Sequence, residues 1–335
     1  MFPTFEQILP ILRDHIQTLE DKRSKIVSGY KKFGIGFALG LAILILCMVA
    51  GFSGTFFVFL IFIVYIGISV GKIMKQKREI RTEFKQHVVG KISTELLRQC
   101  ELPNATDKFE YHCDYRKNGR IRDQYIRNSH LFNFKIDKTR GEDLFSGRIG
   151  LTDFQFSELE LIQVRTSTDS KGRSTTKNVT MFDGILFVAD FHKDFDGVTT
   201  LKSGNIFNRS GINSLLQGVG NIFSSQKKVT VTLENEEFNK AFHVVSTDEV
   251  KARYLLSVSM LERIMNFKKR HPHGIELSFV NSYMSIALGK GKDYFEPNVF
   301  KPFDGSQART VYEDLLFFFG MIEDFDLNTR IWNKA

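Results

Sequence analysis

No Asp, Glu, Lys or Arg falls between positions 33 and 71, so 39 consecutive residues carry no charge. Soluble helices rarely run so far without one, which argues against a buried hairpin of a water-soluble domain. Cysteine is scarce. Cys47, Cys100 and Cys113 are odd in number, lack CxxC spacing, and include one member inside the uncharged run, so they give no disulfide framework. No internal repeat of the length that builds solenoids stands out. GxSxG, GxxxxGK[ST], HExxH and any ladder of Cys and His ligands are also missing, which removes the best-marked hydrolase, phosphate-loop and zinc chemistries.

Phenylalanine is abundant, with 33 copies, most at alternating or helix-spaced apolar positions. That distribution indicates a core rich in large rings. The net charge of +8 has a definite location: 12 of the 46 Lys+Arg and 6 of the 38 Asp+Glu lie in residues 1–89, net +6, which leaves 34 against 32, net +2, for the rest. A nucleic-acid partner calls for a basic stripe on the folded domain, so nucleic acid is not expected.

One helix of 39 residues would be about 58 Å long at ~1.5 Å per residue, about twice the ~30 Å of a hydrocarbon core. Two spans, 33–50 and 55–71, fit better, with Gly51-Phe52-Ser53-Gly54 as the reversal between them. Lys22, Arg23, Lys25, Lys31 and Lys32 precede the run, and Lys72, Lys75, Lys77, Arg78, Arg81 and Lys85 follow it. Cationic flanks stay on the cytoplasmic side, so both termini are expected there. The run starts too late and is too long for a cleaved signal peptide.

Apolar stripes continue on both sides. Thr4 with Gln7 forms a capping box ahead of Leu9, Leu12, Ile16, Leu19, Ile26 and Tyr30; Ile73, Ile80, Phe84, Val88, Ile92 and Leu96 follow the run. The stripes either pair as an antiparallel stalk or lie against the soluble domain or the lipid surface. Leu102-Pro103-Asn104 then ends the helical part. β-like runs come next at 131–136, 144–151, 154–164, 179–182 and 185–191, with Asp183-Gly184 as a hairpin signal between the last two. The polar stretch at 165–178 reads as a mobile loop. "VTVTLENEEF" alternates as a further strand, Ser246 with Glu249 caps a helix facing inward through Val250, Tyr254, Val258, Leu261 and Met265, strands at 274–280 and 283–288 flank Asn281-Ser282, and a core helix covers about 306–323. Arg253 pairs with Glu249 at the surface or holds a buried carboxylate such as Asp248.

The expected fold class is α+β, an N-terminal transmembrane helical hairpin followed by a cytoplasmic antiparallel-sheet domain with packed helices. The domains are a cytoplasmic amphipathic helix at 1–32, the hairpin at 33–71, a juxtamembrane helix at 72–101 and the cytoplasmic α+β domain at 102–335.

"GEDLFSGRIGLTDFQFSELEL", "FDGILFVADFHKDFDGVTTL" and "LENEEFNKAFHVVSTDEVKARYLLSVSMLERI" resemble the bacterial family DUF3137, over about residues 141 to 265. The third motif is the most specific. The resemblance implies a pair of membrane helices ahead of the domain, a place in the bacterial inner membrane and a LemA-like membrane protein as partner. It brings no catalytic residue. One departure is Glu236, where the family often has Pro.

Asp183, Asp190, Asp194 and Asp196 form the best acidic cluster for a hard cation such as Mg2+, although Asp183 in a turn, and Asp194 and Asp196 beside Gly197, have ordinary explanations. His271 and His273 lack a third ligand and read as a solvated connection. No catalytic, cofactor or metal residue is assigned. Residues 210–226 have no charge, and Ile212, Leu215, Leu216, Val219, Ile222 and Phe223 recur at helical spacing as a lipid or partner contact. The expected role is a membrane-tethered, non-enzymatic interaction module of the inner membrane. The alternatives are a membrane-surface metal-assisted hydrolase and a lipid-surface sensor acting through residues 210–226.

Overall fold

The computed structural model describes residues 2–100, 110–168, 171–191, 196–203, 229–271, 274–325 and 327. The chain divides into two compact units: Pro3–Ile92 with Phe295–Glu313, and Met1–Phe2, Ser93–Tyr294 with Asp314–Ala335.

The first unit is helical. Helix α1 (Phe5–Val49) begins at the expected cap, where the Thr4 N–H donates to Gln7 Oε1 at 2.7 Å. The helix ends at Ala50, and Gly51 adopts a φ of +65°, a left-handed conformation that costs glycine no Cβ clash. Helix α2 (Thr55–Glu83) returns antiparallel and continues through a π-helical stretch, Phe84–Val89, into helix α3 (Gly90–Arg98). Both long helices are long and apolar enough to cross a membrane. Their apolar side chains point outward uncovered, with Leu46 68% and Ile61 70% exposed. Between the helices, the Tyr65 and Phe62 rings fill the space that a Cβ at Gly36 and Gly40 would need, which brings the two backbones close.

Past the uncharged run the antiparallel pairing continues, one of the arrangements open from sequence. Leu12, Leu19 and Ile26 on α1 and Ile73 and Ile80 on α2 are buried, as are Phe84 and Val88 beyond it. Ile8 is buried in the first stripe where Leu9 was expected. Lys22 forms an ion pair with Glu83, and the His15 and His87 rings stack with centroids 4.8 Å apart. Phe295–Glu313 belongs to this unit. The Phe303 N–H donates to Glu20 Oε2 at 2.7 Å, Arg309 pairs with Glu6 at 2.7 Å, and Glu296 receives both Arg81 (2.7 Å) and the buried Lys85 (2.5 Å).

The second unit is built on a nine-stranded antiparallel sheet, so the fold is α+β with two long apolar N-terminal helices. Its strands are β1 (Glu110–Arg116), β2 (Lys138–Gly150), β3 (Thr152–Thr168), β4 (Ser174–Asp190), β5 (Val198–Lys202), β6 (Val229–Thr230), β7 (His243–Ser246), β8 (Ile275–Val280) and β9 (Tyr283–Gly289). Their order is β1-β2-β3-β4-β9-β8-β5-β7-β6. The helices are α4 (Asp123–Asn128), α5 (Glu236–Ala241), α6 (Glu249–Leu255), α7 (Val258–Arg270) and α8 (Ser306–Asp324). One face carries the expected ring core: Phe156 stacks on Phe145 at 4.6 Å and on Phe318 of α8 at 4.7 Å, and Phe267 of α7 meets Phe317 at 5.6 Å. On the other face Ile121, Ile126 and Leu131 pack with Leu159, Leu161, Leu186 and Ala287.

Several sequence expectations are corrected. Asp183-Gly184 is no turn: both residues lie inside β4, where Gly184 pairs with Leu159 and Gly289, and the Leu288 carbonyl occupies the place of the missing side chain. The runs 179–182 and 185–191 are therefore one strand. Residues 131–136 form no strand, because Leu131 is drawn into the core from an irregular segment. The stretch 165–178 is mostly paired, with Arg165 opposite Lys177 and Thr168 opposite Ser174. "VTVTLENEEF" holds only the two residues of β6 before α5. The helix after Ser246 is capped by Asp248, which accepts from the Lys251 N–H at 3.0 Å, and it breaks at Leu256-Ser257. Of the expected inward face, Val250, Tyr254 and Val258 are exposed and Leu261 is buried, and Ala252, Leu255, Met260, Ile264 and Phe267 are buried as well. Glu236 takes the first position of α5 after the Asn235 cap, a position without an intrahelical N–H bond, where Pro and acidic residues are both favoured.

Candidate functional site

Among the described residues, Asp183, Asp190 and Asp196 do not form a common cluster. Asp183 and Asp190 lie on the same strand seven residues apart, so about 23 Å of strand separates them and they face opposite sides. Asp196 meets Lys251, whose ammonium donates to the Asp196 carbonyl at 3.0 Å. Asp194 lies outside the described residues, as do Ile212, Leu215, Leu216, Val219, Ile222, Phe223 and His273. His271 stacks between Phe267 (4.9 Å) and Phe317 (4.1 Å). Arg253 pairs with Glu249 at 2.8 Å, which settles its partner in favour of the surface pair.

Asp183 has other neighbours. It lines an open cleft of about 540 Å3 with Glu142, Glu158, Glu160, Arg140 and Lys290. Most of these charges are committed: Arg140 pairs with Glu160 at 3.2 Å, Lys290 with Asp183 at 3.7 Å and with Asp293 at 2.8 Å, and Glu158 accepts the Tyr294 N–H at 3.0 Å. The hydrogen bond with Asp293, with further carboxylates around, raises the Lys290 pKa. The cleft is a network of paired charges across the middle of β3 and β4 and the end of β9.

A second polar group was not anticipated. Glu276 on β8 is 2% exposed. In register beside it stands Lys202 on β5, with Nζ 3.8 Å from Glu276 Oε2. Two residues along, Thr200, Ser278 and Ser285 lie in register across β5, β8 and β9, all buried. Among the described residues Glu276 Oε2 and Ser278 Oγ have no hydrogen-bond partner. Burial pushes the Glu276 carboxyl from 4.5 up to about 7, against the pull of Lys202. The strip contains no activated nucleophile. The sequence signal was a lone Glu at the second position of "IELSFV", a run short enough to be buried on both faces.

The third feature is shape. β2 pairs with β3 only as far as Ile162, and β9 pairs with β4 only from Gly184 onward, whereas β3 and β4 pair with each other out to Thr168 and Ser174. The outer end of this hairpin is therefore a two-stranded ribbon beyond the sheet, exposed from Arg165 to Thr168 and from Ser174 to Asn178. Arg165, Lys171, Arg173 and Lys177 give it a basic character.

No curated protein matches the chain. Among solved structures, the chain is similar to the "crystal structure of the mycobacterial trehalose monomycolate transport factor A, TtfA" at 12% identity, covering 62% of this chain and 88% of that one, with a TM-score of 0.29. So low a score supports no inference about fold or role. The second and third sequence motifs, which form β4 to β5 and α5 to α7, lie inside a family match, and the first lies before it. Over residues 180–327 the chain matches the family model described as "Protein of unknown function (DUF3137)", the family its motifs resemble.

Proposed function

We propose that this protein is a membrane-tethered, non-enzymatic interaction module whose sheet unit works at the cytoplasmic face of the bacterial inner membrane. The observation that carries this reading is the antiparallel hairpin, whose outward side chains are apolar and uncovered on both helices. Exposing that many apolar side chains to water would cost on the order of 1 to 2 kcal/mol for each Leu, Ile or Phe. Lipid removes the cost. Cationic residues at the two outer ends, with an uncharged turn between the helices, favour both termini on the cytoplasmic side.

The β3–β4 ribbon supports a binding role, since it projects basic and hydroxyl side chains without serving the core. A LemA-like membrane protein, implied by the family resemblance, is the first partner to seek. The test is affinity purification of the full chain from membranes in mild detergent, beside a variant with residues 166–176 replaced by Asn-Gly, a two-residue turn that suits an antiparallel hairpin. The intact chain should recover a specific membrane protein and the shortened one should not, with an unchanged circular dichroism spectrum. Equal recovery by both would remove the ribbon from the contact.

A further inference from the structure

We propose that the cleft between α1 and α2 at the charged end of the hairpin binds the phosphate-bearing head group of an anionic phospholipid. The inference rests on the membrane reading given above. The cleft has a volume of about 610 Å3 and lies wholly between the two helices. Lys25 and Lys32 of α1 and Lys72 of α2 line it, and no carboxylate does. None of the three lysines forms an ion pair among the described residues, whereas Lys22 and Arg23, just before Lys25 in the chain, pair with Glu83 and Glu20. Three lysines thus line a space whose wall carries no carboxylate. Ser28 and Ser69 add hydroxyls to the wall, and hydroxyls donate to phosphate oxygens, while the Ser24 hydroxyl donates to the Asp21 carbonyl.

Depth selects the ligand. Lys32 immediately precedes the uncharged run and Lys72 immediately follows it. From each lysine to the turn the helix rises roughly 26 Å at ~1.5 Å per residue, close to the ~30 Å thickness of a hydrocarbon core. The lysines therefore stand at head-group level when the turn reaches the opposite interface. On the membrane side the cleft is closed by Phe33 and Tyr65, whose rings stack at 6.2 Å, and these offer an apolar surface to the start of the acyl chains. The space itself follows from small residues. Ser28 and Gly29 on one helix face Ser69 on the other, while tighter packing at Gly36 and Gly40 holds the helices together nearer the turn. Basic pockets between membrane helices on the cytoplasmic side are a recurrent form of lipid head-group site.

The experiment uses the full chain in bilayer discs of phosphatidylcholine doped with phosphatidylglycerol, with retained lipid identified by native mass spectrometry and affinity measured by titrating phosphatidylglycerol. The wild type should retain phosphatidylglycerol in preference to phosphatidylcholine. Each direct ammonium-to-phosphate contact changes affinity by about tenfold or more, so Lys25→Gln with Lys32→Gln and Lys72→Gln together should weaken retention by roughly a hundredfold or more. Gly29→Phe should do the same by filling the cleft, since a Cβ added there meets nothing within 4 Å and starts the ring into open space. Lys31→Gln with Lys75→Gln and Arg78→Gln removes the same charge from the same flanks outside the cleft and should cost only the smaller, diffuse share of the attraction, roughly tenfold less or better than the cleft variant loses.

Equal loss in both triple variants would mean diffuse attraction and would overturn the site, as would retention by Gly29→Phe. Displacement of the lipid by inorganic phosphate would reassign the cleft to a soluble anion and overturn the lipid assignment. A chain that alkaline extraction releases from membranes contradicts the membrane reading itself. One that stays embedded but shows no preference for phosphatidylglycerol contradicts this inference alone.

Discussion

Glu276 gives the sheet unit a pH dependence of known sign. Its carboxyl is 2% exposed, and burial raises it from 4.5 to about 7 with Lys202 opposing. That rise corresponds to about 3 kcal/mol. Below pH 4.5 the carboxyl is protonated in both folded and unfolded chains, and it costs the fold nothing through ionisation. Between 4.5 and 7 the unfolded chain loses the proton first, so stability falls as pH rises, and above 7 the loss is complete. Glu276→Gln keeps the shape, remains neutral at every pH and removes this slope. In thermal unfolding of the full chain in detergent, the variant should gain on the wild type by about 3 kcal/mol between pH 4.5 and 8. That is roughly 6 to 12 °C in the midpoint of a unit this size. Midpoints that run parallel across the range would refute the reasoning, and so would a variant that loses ground as pH rises.

Two further consequences follow from the core. Burial pushes the Cys113 thiol up to about 12, so at pH 8 iodoacetamide should leave it unmodified in the folded chain and label it only after denaturation; rapid labelling in peptide mass spectra of the native protein would contradict its burial. Phe156 is fully buried between Phe145 and Phe318, so Phe156→Ala should destabilise the sheet unit by about 3 to 5 kcal/mol while the protein still fractionates with membranes. A loss below about 1 kcal/mol in denaturant unfolding would mean that the ring stack is not the centre of the core.

The features legible in the sequence were those encoded within a few residues of each other. The missing charge at 33–71 with Gly51 marked the hairpin, Thr4 with Gln7 marked the start of α1, and Asn281, at a φ of +52°, marked the turn between β8 and β9. The errors arose where a local signal served a distant neighbour. Gly184 reads as a turn glycine, yet it is required because a carbonyl of the adjacent strand β9 takes up its side-chain space. Leu131 alternates like a strand residue, but it covers the sheet face and is not part of the ladder. Val250, Tyr254 and Val258 fit one helical stripe only if the helix is unbroken, and nothing in the apolar spacing announces the break at Leu256. The pairing of Glu276 with Lys202 spans 74 positions, and the cleft between α1 and α2 joins residues some 40 positions apart, so periodicity along the chain could not reveal either.

The account depends most on the two apolar helices lying in lipid with their outer ends on one side. Single cysteines introduced by Ser53→Cys and by Ser24→Cys, in a chain whose own cysteines are replaced, can be probed in intact cells with a membrane-impermeant maleimide. The account predicts that Cys at position 53 is labelled from outside, while Cys at position 24 is labelled only after the membrane is permeabilised. Labelling at position 24 but not 53 in intact cells, or at neither position before permeabilisation with the chain recovered from the soluble fraction, would contradict it.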